Sequence, residues 1–325
     1  PLCSYAERGI QSLPYCVVPC MRDAHIEAAD YVAVVYTDMP LITAEYLYSA
    51  ANEMKMRGIK SMELHKASIT EYREFCFEGG GAKHKVDSYN TTVVEDAKTL
   101  SFVTEKLYSA VSHKLINKGV IIPFPNRVLI DDTVKVAEGV VIDPYVSIKG
   151  CSEINPGVNI GSYTDMEDTF VGSDTVIMSS NIKGAVIGKN CAIGPFAVIR
   201  KGSKIGDGVR LGDFVEIKNS TIGDNVKCAH LAYIGDAEVG NATNVGCGTV
   251  FANYDGVKKH RTVVGSEVFI GCNTNLVAPL TIGDNAYIAA GSTVTRCVPD
   301  GALCIARERQ IIKEDWISKK SGGDK

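Results

Sequence analysis

His230 is the residue of this chain best suited to move a proton near neutral pH, because imidazole changes its charge between about pH 5 and 8. The chain holds six histidines, and only His230 lies within the regular coils described below, with His260 in a loop beside them. Fourteen residues upstream stands Glu216. That is most of one turn of a three-sided coil, so its carboxylate is expected near the imidazole, able to orient it and stabilise its protonated form. The segment Asn253-Tyr254-Asp255-Gly256 to Arg261 carries Lys258, Lys259, His260 and Arg261, a basic run in a mildly acidic chain. It reads either as a loop for an anionic ligand or as a solvated loop, and loops on rigid scaffolds are where binding groups gather. Asp38 follows the run YVAVVY, Tyr31 to Tyr36, in the loop Thr37-Asp38-Met39-Pro40. Ligands of open α/β sheets gather at such strand ends, but a lone Asp there is more often a turn residue than a metal ligand.

The elements that must position these side chains follow a six-residue beat. Aliphatic residues fall at Ile130, Val136, Ile142, Ile148, Ile154 and Ile160, then after a disturbed stretch at Ile187, Ile193, Ile199, Ile205, Leu211 and Ile217. With some five-residue steps the beat passes through Ile222, Cys228, Ile234, Val239, Val245 and Phe251, and returns at Val264, Ile270, Leu276, Ile282, Ile288 and Val294. Neither helix nor hairpin sheet sustains a period of six. Such repeats mark a parallel β-helix, here expected to be left-handed, in which each short strand sends one aliphatic side chain inward. Gly, Asn and Asp recur after the anchors, as in Ile282-Gly283-Asp284-Asn285, where tight corners need positive φ. The interval between Phe251 and Val264 breaks the beat, so the basic loop must leave the coil there.

Four segments are expected. Residues 1–85 read as α/β, with a helix through Ala44 to Arg57 and a flexible joint at Gly79-Gly80-Gly81. Residues 86–119 form a linker and a connecting helix, with Val103, Leu107, Ala110, Val111 and Leu115 on one stripe. Residues 120–300 are the β-helix, and 301–325 a C-terminal arm and mobile tail. At 325 residues and 45% hydrophobic content, the chain can bury a sizeable core in two or more domains. A net charge of −4 offers no basic field for nucleic acid. No apolar run approaches the roughly 18 residues of a membrane span, and the opening PLCSYAERG does not read as a signal peptide. Eleven cysteines with no CxxC pair suggest buried, reduced thiols in a cytoplasm rather than a disulfide framework or zinc site.

From Gly212 through Arg307 the motifs FVEIK, AHLAYIGDAEVGN, NYDG, VAPLTIG and IAAGSTVTR carry a specific resemblance. They resemble the acetyltransferase half of the bacterial bifunctional N-acetylglucosamine-1-phosphate uridyltransferase/glucosamine-1-phosphate N-acetyltransferase family. The resemblance extends from about Val94 to the end. It implies that His230 is the general base, that Glu216 orients it, and that acetyl-CoA is the co-substrate, with no metal needed for acetyl transfer. It places sugar-phosphate contacts on Arg200, Lys218, Tyr233, Asn244 and Lys259, and sets Asn253 and Tyr254 at the junction of sugar and acetyl group. Contacts to acetyl-CoA fall on Cys247, Cys272, Ala290 and Arg307. Three departures stand out: Cys247 where the family commonly has Ala, Cys272 where it has Ser, and Lys201 where a proline is usual.

The chemistry agrees with those roles. Arg200, Lys218 and Lys259 can neutralise a phosphate dianion, Arg by a bidentate fork. An amine must lose a proton before it attacks a thioester, and the oxyanion needs a donor such as a backbone N–H or Asn253. The resemblance further implies a cytoplasmic homotrimer with sites between subunits and a role in cell-wall precursor synthesis. Residues 1–85 resemble a truncated, degenerate part of the family's uridyltransferase half. Asp38 takes its metal-binding aspartate, Ser12-Leu13-Pro14 replaces a uracil contact, Thr104 stands where an asparagine ligand is expected, and no phosphate loop is found. Uridyltransferase activity is therefore expected to be absent. Two other acceptable readings are an acetyltransferase for another amino sugar, nucleotide-linked or not, and a non-catalytic relative that binds sugar phosphate. A carbonic anhydrase of the same fold needs three histidine ligands, and the β-helix and its loop offer only His230 and His260.

Overall fold

The computed structural model describes residues 44–57, 74–76, 83–85, 94 and 96–321. The strand Tyr31 to Tyr36, Asp38, Ser12-Leu13-Pro14 and Gly79 to Gly81 lie outside the described residues. The chain divides into two compact units, Pro1–Leu107 and Tyr108–Lys325. In the first, α1 spans Ala44–Arg57 and an antiparallel pair joins Glu74–Cys76 to Lys83–Lys85. The sequence reading did not anticipate that pair. Helix α2, Ala97–Ile116, runs across the division between the units. Of its expected apolar stripe, Leu115 is buried and Val111 half-buried against the core of the second unit, whereas Leu107 is exposed.

The second unit is a left-handed parallel β-helix, as the repeat period requires. Its first parallel contact is Ile121 with Val141 and its last strand is Leu303–Cys304. One face is a nine-stranded parallel sheet that includes Lys135–Val136, Glu153–Ile154 and Phe170–Val171. The other two faces are hydrogen-bonded into a single sheet because the nine-residue strands Arg210–Lys218 and Lys227–Gly235 bend round the corner between them. These two strands pair along seven positions, from Arg210 with Lys227 to Lys218 with Gly235.

Every anchor of the beat is buried except Val136, which is half-buried. Burying one such side chain contributes about 1.5–3 kcal/mol, so a column of them supplies the main driving force. The stretch between Ile160 and Ile187 that looked disturbed is continuous: Met166, Val171, Ile177 and Ile182 point inward at five- and six-residue steps. Its irregularity in sequence comes from a methionine among isoleucines and from shorter corners. The corners also depart from expectation. Many are Asn or Asp at positive φ, but one column places Tyr145, Tyr163, Phe196, Phe214 and Leu231 there. Left-handed backbone at such bulky residues costs roughly 1–2 kcal/mol each, which the surrounding ladder must hold in place.

The expectation of buried thiols holds only in part. Cys191 and Cys228 are buried, but Cys151, Cys247, Cys272 and Cys297 are exposed. The reason is the pleat: Cys228 occupies an anchor position, whereas Cys247 and Cys272 follow the anchors Val245 and Ile270 by two and point outward at a corner.

Phe251 is the largest of the fully buried side chains, and Val250 beside it faces out. Phe251→Ala is expected to destabilise the β-helix by about 3–5 kcal/mol, and Val250→Ala by well under 1 kcal/mol. Urea denaturation followed by circular dichroism measures both. Equal effects would mean that the inward column does not carry the stability.

Candidate active site

Strand Lys227–Gly235 brings His230 to the bend. The turn residue Leu231, at φ 38°, follows it directly and is exposed. In the preceding rung, Asp213 and Phe214 (φ 58°) occupy the same two places, and Asp213 pairs in register with His230. Nδ1 of His230 lies 2.7 Å from Oδ1 of Asp213. With a carboxylate as partner, Nδ1 carries the hydrogen and Nε2 keeps its lone pair. Among the described residues none bonds Nε2. The His230 hydrogen bond, first among its causes, holds the Asp213 carboxyl below the ordinary 3.8. Gly212 permits this close stacking, because a Cβ there would lie 1.9 Å from the carbonyl oxygen of Ala229.

Glu216 does not reach His230. Its rung neighbour is Tyr233, and its Oε1 accepts a hydrogen bond from Nη1 of Arg200 at 2.9 Å. The physical reason is the length of a turn. Leu211 pairs with Cys228 and Ile217 with Ile234, so seventeen residues close one circuit here, and the residue stacked on His230 is Asp213 rather than one fourteen positions back.

Beyond the bend lies a cluster built on two cations. Nζ of Lys218 is 3.8 Å from Oδ2 of Asp236, and Nδ2 of Asn253 donates to the same oxygen at 2.5 Å. Asn219 donates to Oδ1 of Asp236 at 2.7 Å, and Tyr233 Oη lies 3.4 Å from Nδ2 of Asn253. Burial pushes the Asp236 carboxyl up, but these amide hydrogen bonds and the ammonium groups of Lys218 and Lys259 outweigh it and hold it below 3.8. Lys259 is pulled below 10.5, first by its contact with Lys218 and then by the charge of that neighbour, against the attraction of Asp236. Two ammonium groups facing each other with one carboxylate between them leave a net positive site. Asp236 and Asn219 were missed by the sequence reading. The signal of Asp236 was present in AHLAYIGDAEVGN, where it directly follows the strand of His230, but an Asp after Gly reads as a turn; Asn219, just after FVEIK, carried no signal of its own.

The remaining expected residues fall in two other places. Asn244 pairs with Lys227 above and Phe269 below, on the face before the bend, so it does not join Tyr233 and Asn253 within one chain. Cys247, Cys272 and Ala290 follow His230 down the same corner in register with the pairs Tyr233–Val250, Val245–Ile270 and Ile270–Ile288. Backbone bonds tie this ladder: Asn273 N to Cys247 O at 2.7 Å and Gly291 N to Cys272 O at 2.8 Å. At its foot, Nε of Arg307 donates to the carbonyl of Ala290 at 3.0 Å. Tyr254 is exposed and donates to the Gly256 carbonyl at 2.7 Å.

The loop after Asn253 is closed by Asp255. Its Oδ1 accepts from the amides of Val257 and Lys258 at 2.8 and 2.7 Å, and its Oδ2 lies 2.6 Å from Nε2 of His260. The Lys258 amide, then His260 and the Val257 amide, draw the Asp255 carboxyl down to about 2. His260 is thus a loop fastener, and its partner explains its place in an otherwise basic run.

The sequence match to a family of hexapeptide repeats agrees with this architecture. Residues 184–219 and 261–296 match the bacterial transferase hexapeptide family, six repeats. The bifunctional protein GlmU of Clostridium acetobutylicum is 46% identical over 218 residues, 67% of this chain and 48% of that protein. That of Alkaliphilus metalliredigens is 42% identical over 243 residues, 74% and 53% respectively. That of Staphylococcus haemolyticus is 43% identical over 244 residues, 74% and 54%. The chain thus spans about half the length of the curated relatives it matches. Among solved structures, the UDP-N-acetylglucosamine acyltransferase from Campylobacter jejuni aligns over 62% of this chain and 82% of its own, at 17% identity and a TM-score of 0.41. The family resemblance read from the motifs is borne out over the β-helix by the GlmU relatives.

The Asp255 carboxyl gives a pH test. Its folded value lies below the unfolded 3.8, so its contribution to loop stability is complete above about pH 4 and is lost as pH falls through about 2. The amide resonances of Val257 and Lys258 should therefore titrate with a midpoint near 2. A midpoint near the ordinary 3.8 would show that these bonds do not form in solution.

Proposed function

We propose that this chain is a homologue of the GlmU acetyltransferase half and transfers an acetyl group from acetyl-CoA to the amine of glucosamine-1-phosphate. The observation that carries the reading is the bend at Leu231. It sets an exposed imidazole with a free Nε2 between a two-lysine cluster on one side and a ladder of small outward residues on the other. The products are N-acetylglucosamine-1-phosphate and free CoA thiol. Nε2 of His230 accepts the proton of the attacking amine, so the nitrogen lone pair can add to the thioester carbonyl. The N–C bond forms, the C–S bond breaks as the tetrahedral adduct collapses, and the thiolate takes a proton. A base so placed contributes about 10²–10⁴-fold.

Lys218 and Lys259 suit the phosphate, with Arg200 at the edge of the same face. Binding a dianion there relieves the repulsion that now depresses Lys259. Asn253, held between Tyr233 and Asp236, is positioned on that face to meet the sugar or the developing oxyanion. Cys247, Cys272, Ala290 and Arg307 suit the acetyl-CoA arm. Cysteine at the first two positions keeps the side chains small. A phosphate-bearing acceptor favours a simple sugar phosphate over a neutral amino sugar.

The working form is a homotrimer. Asn244 stands on a different face from the lysine cluster, and below it Phe269 and Tyr287 stack 4.6 Å apart with their rings exposed. A neighbouring prism covering that face would bury those rings and bring Asn244 to its neighbour's cluster. Thr104 in place of an asparagine ligand extends the reading to loss of uridyl transfer in this chain.

Thiol release from acetyl-CoA in the presence of glucosamine-1-phosphate tests the activity, with other amino sugars as comparison. His230→Ala is expected to lower kcat by about 10²-fold or more while leaving sugar-phosphate affinity within about twofold. Lys218→Ala is expected instead to raise KM for the sugar phosphate about tenfold or more, since it removes a charge-assisted partner. More than about a tenth of wild-type kcat in His230→Ala would move the base elsewhere. Light scattering should give a trimer; a monomer at micromolar concentration would refute the shared site.

A further inference from the structure

We infer that Asp213, not Glu216, is the residue that positions the imidazole of His230, fixing the Nδ1–H tautomer so that Nε2 is the base. The inference rests on the reading of His230 as base and names the group through which that base is prepared.

Three independent observations carry it. The first is register: Asp213 is the direct rung neighbour of His230 in a ladder paired over seven positions, so its place is set by the fold rather than by a rotamer alone. The second is contact. Oδ1 of Asp213 is 2.7 Å from Nδ1, the length of a charge-assisted hydrogen bond. The third is the engagement of the competitor, since Glu216 stacks on Tyr233 and its Oε1 holds Nη1 of Arg200 at 2.9 Å. The groups that face His230 along the corner are Asp213 one rung before it and the thiol of Cys247 one rung after it. Among the described residues only Asp213 bonds the ring.

A carboxylate at Nδ1 does two things for a base working through Nε2. It accepts the Nδ1 hydrogen, which excludes the tautomer whose Nε2 is already protonated. It also faces the positive charge that appears on the ring when the amine proton arrives. The same oxygen fixes the ring plane on the bend, where the side chain is otherwise exposed and free to turn. Gly212 is what lets the two rungs approach closely enough for the contact. In the resemblance described above this duty fell on Glu216, so the assignment to Asp213 is a property of this chain's own register.

The test uses the full-length protein. Ring ¹⁵N resonances of histidine-labelled protein, with the His230 signals identified by their loss in His230→Gln, report the tautomer without any substrate. Wild type should show the Nδ1–H form at neutral pH. Asp213→Ala should shift His230 toward the Nε2–H form, and Glu216→Gln should leave the signals unchanged. In turnover, Asp213→Asn, which keeps the shape but not the charge, should lower kcat on the order of 10- to 100-fold, less than the full contribution of a general base (about 10²–10⁴-fold) because His230 remains, with KM for the sugar phosphate changed less than about twofold. Wild-type oligomeric state and circular dichroism in Asp213→Asn exclude misfolding. If Nδ1–H persists in Asp213→Ala, or Glu216→Gln alone moves the tautomer, the inference is overturned even where acetyl transfer stands. If instead His230→Gln retains full turnover while the tautomer shift occurs, the base assignment fails and the Asp213 contact survives.

Discussion

Strict register between successive rungs is the constraint on which the rest of this molecule depends. Each rung hydrogen-bonds to the next in parallel, as Arg200 N does to Ile217 O at 2.9 Å and Lys204 N to Ser220 O at 2.9 Å. Stacking like on like places isoleucine over isoleucine inside the prism and satisfies the backbone without hairpins. The corners obey the same rule with side chains. The amide of Lys189 donates to Asp207 Oδ1 at 2.9 Å, Asp207 to Asp224 at 2.8 Å, and Asp224 to Asn241 at 2.8 Å. Each Asx residue thus caps the rung before it, which is why Asp and Asn recur after the anchors. A one-residue slip would break both columns at once.

That constraint explains what the sequence makes legible. The beat of inward anchors is a direct image of the fold, and it foretold all three faces, the break at the basic loop and the left-handed coil. The outward residues carry no such beat. Asp213 gives no signal at the fourteen-residue spacing that points from His230 back to Glu216. Yet the anchors Leu211 and Cys228, Ile217 and Ile234 already state that a turn is seventeen residues long there. Reading the outer positions at the pitch of the inner ones would have found Asp213. Asp236 was hidden differently: its role depends on Asn219 and Asn253, which approach it from adjacent rungs. Convergence of that kind appears only once the coil is closed.

The electrostatics of the cluster follow from the same geometry. Lys218 and Lys259 come from a strand end and from the loop, and the ladder brings them together although like charges repel. Asp236 offsets part of that repulsion, and its carboxylate is committed to Asn219 and Asn253 as well. A cluster of this kind is stabilised by whatever anion completes it. The loop that delivers Lys259 is fastened in part by Asp255, through the amide of Lys258 and the ring of His260. The backbone bridge between Tyr254 and Lys259 and the bond from His260 N to Asn253 O at 2.7 Å complete the hold on the second cation.

The cysteines show how finely the pleat divides reactivity along one column. Cys228, at an anchor position, has its thiol pushed up to about 12 by burial, with the nearby Cys247 adding to it, and it behaves as a small apolar side chain. Cys247, two residues past the next anchor, stands exposed on the corner directly after His230. The row Cys247, Cys272, Ala290 beneath an imidazole leaves the edge of the prism low, whereas the same corner above it bears Phe196 and Phe214, stacked 5.5 Å apart and exposed. In the column of Phe196, Phe214 and Leu231 the bulk falls away one rung after His230, at Gly248, whose amide donates to the carbonyl of Leu231 at 2.7 Å. On the proposed reading, a slender thioester arm could lie along the low side and present its carbonyl to Nε2, while the aromatic side blocks approach from above. Size at the corner, set by residues that carry no charge, then decides from which direction the donor reaches the base.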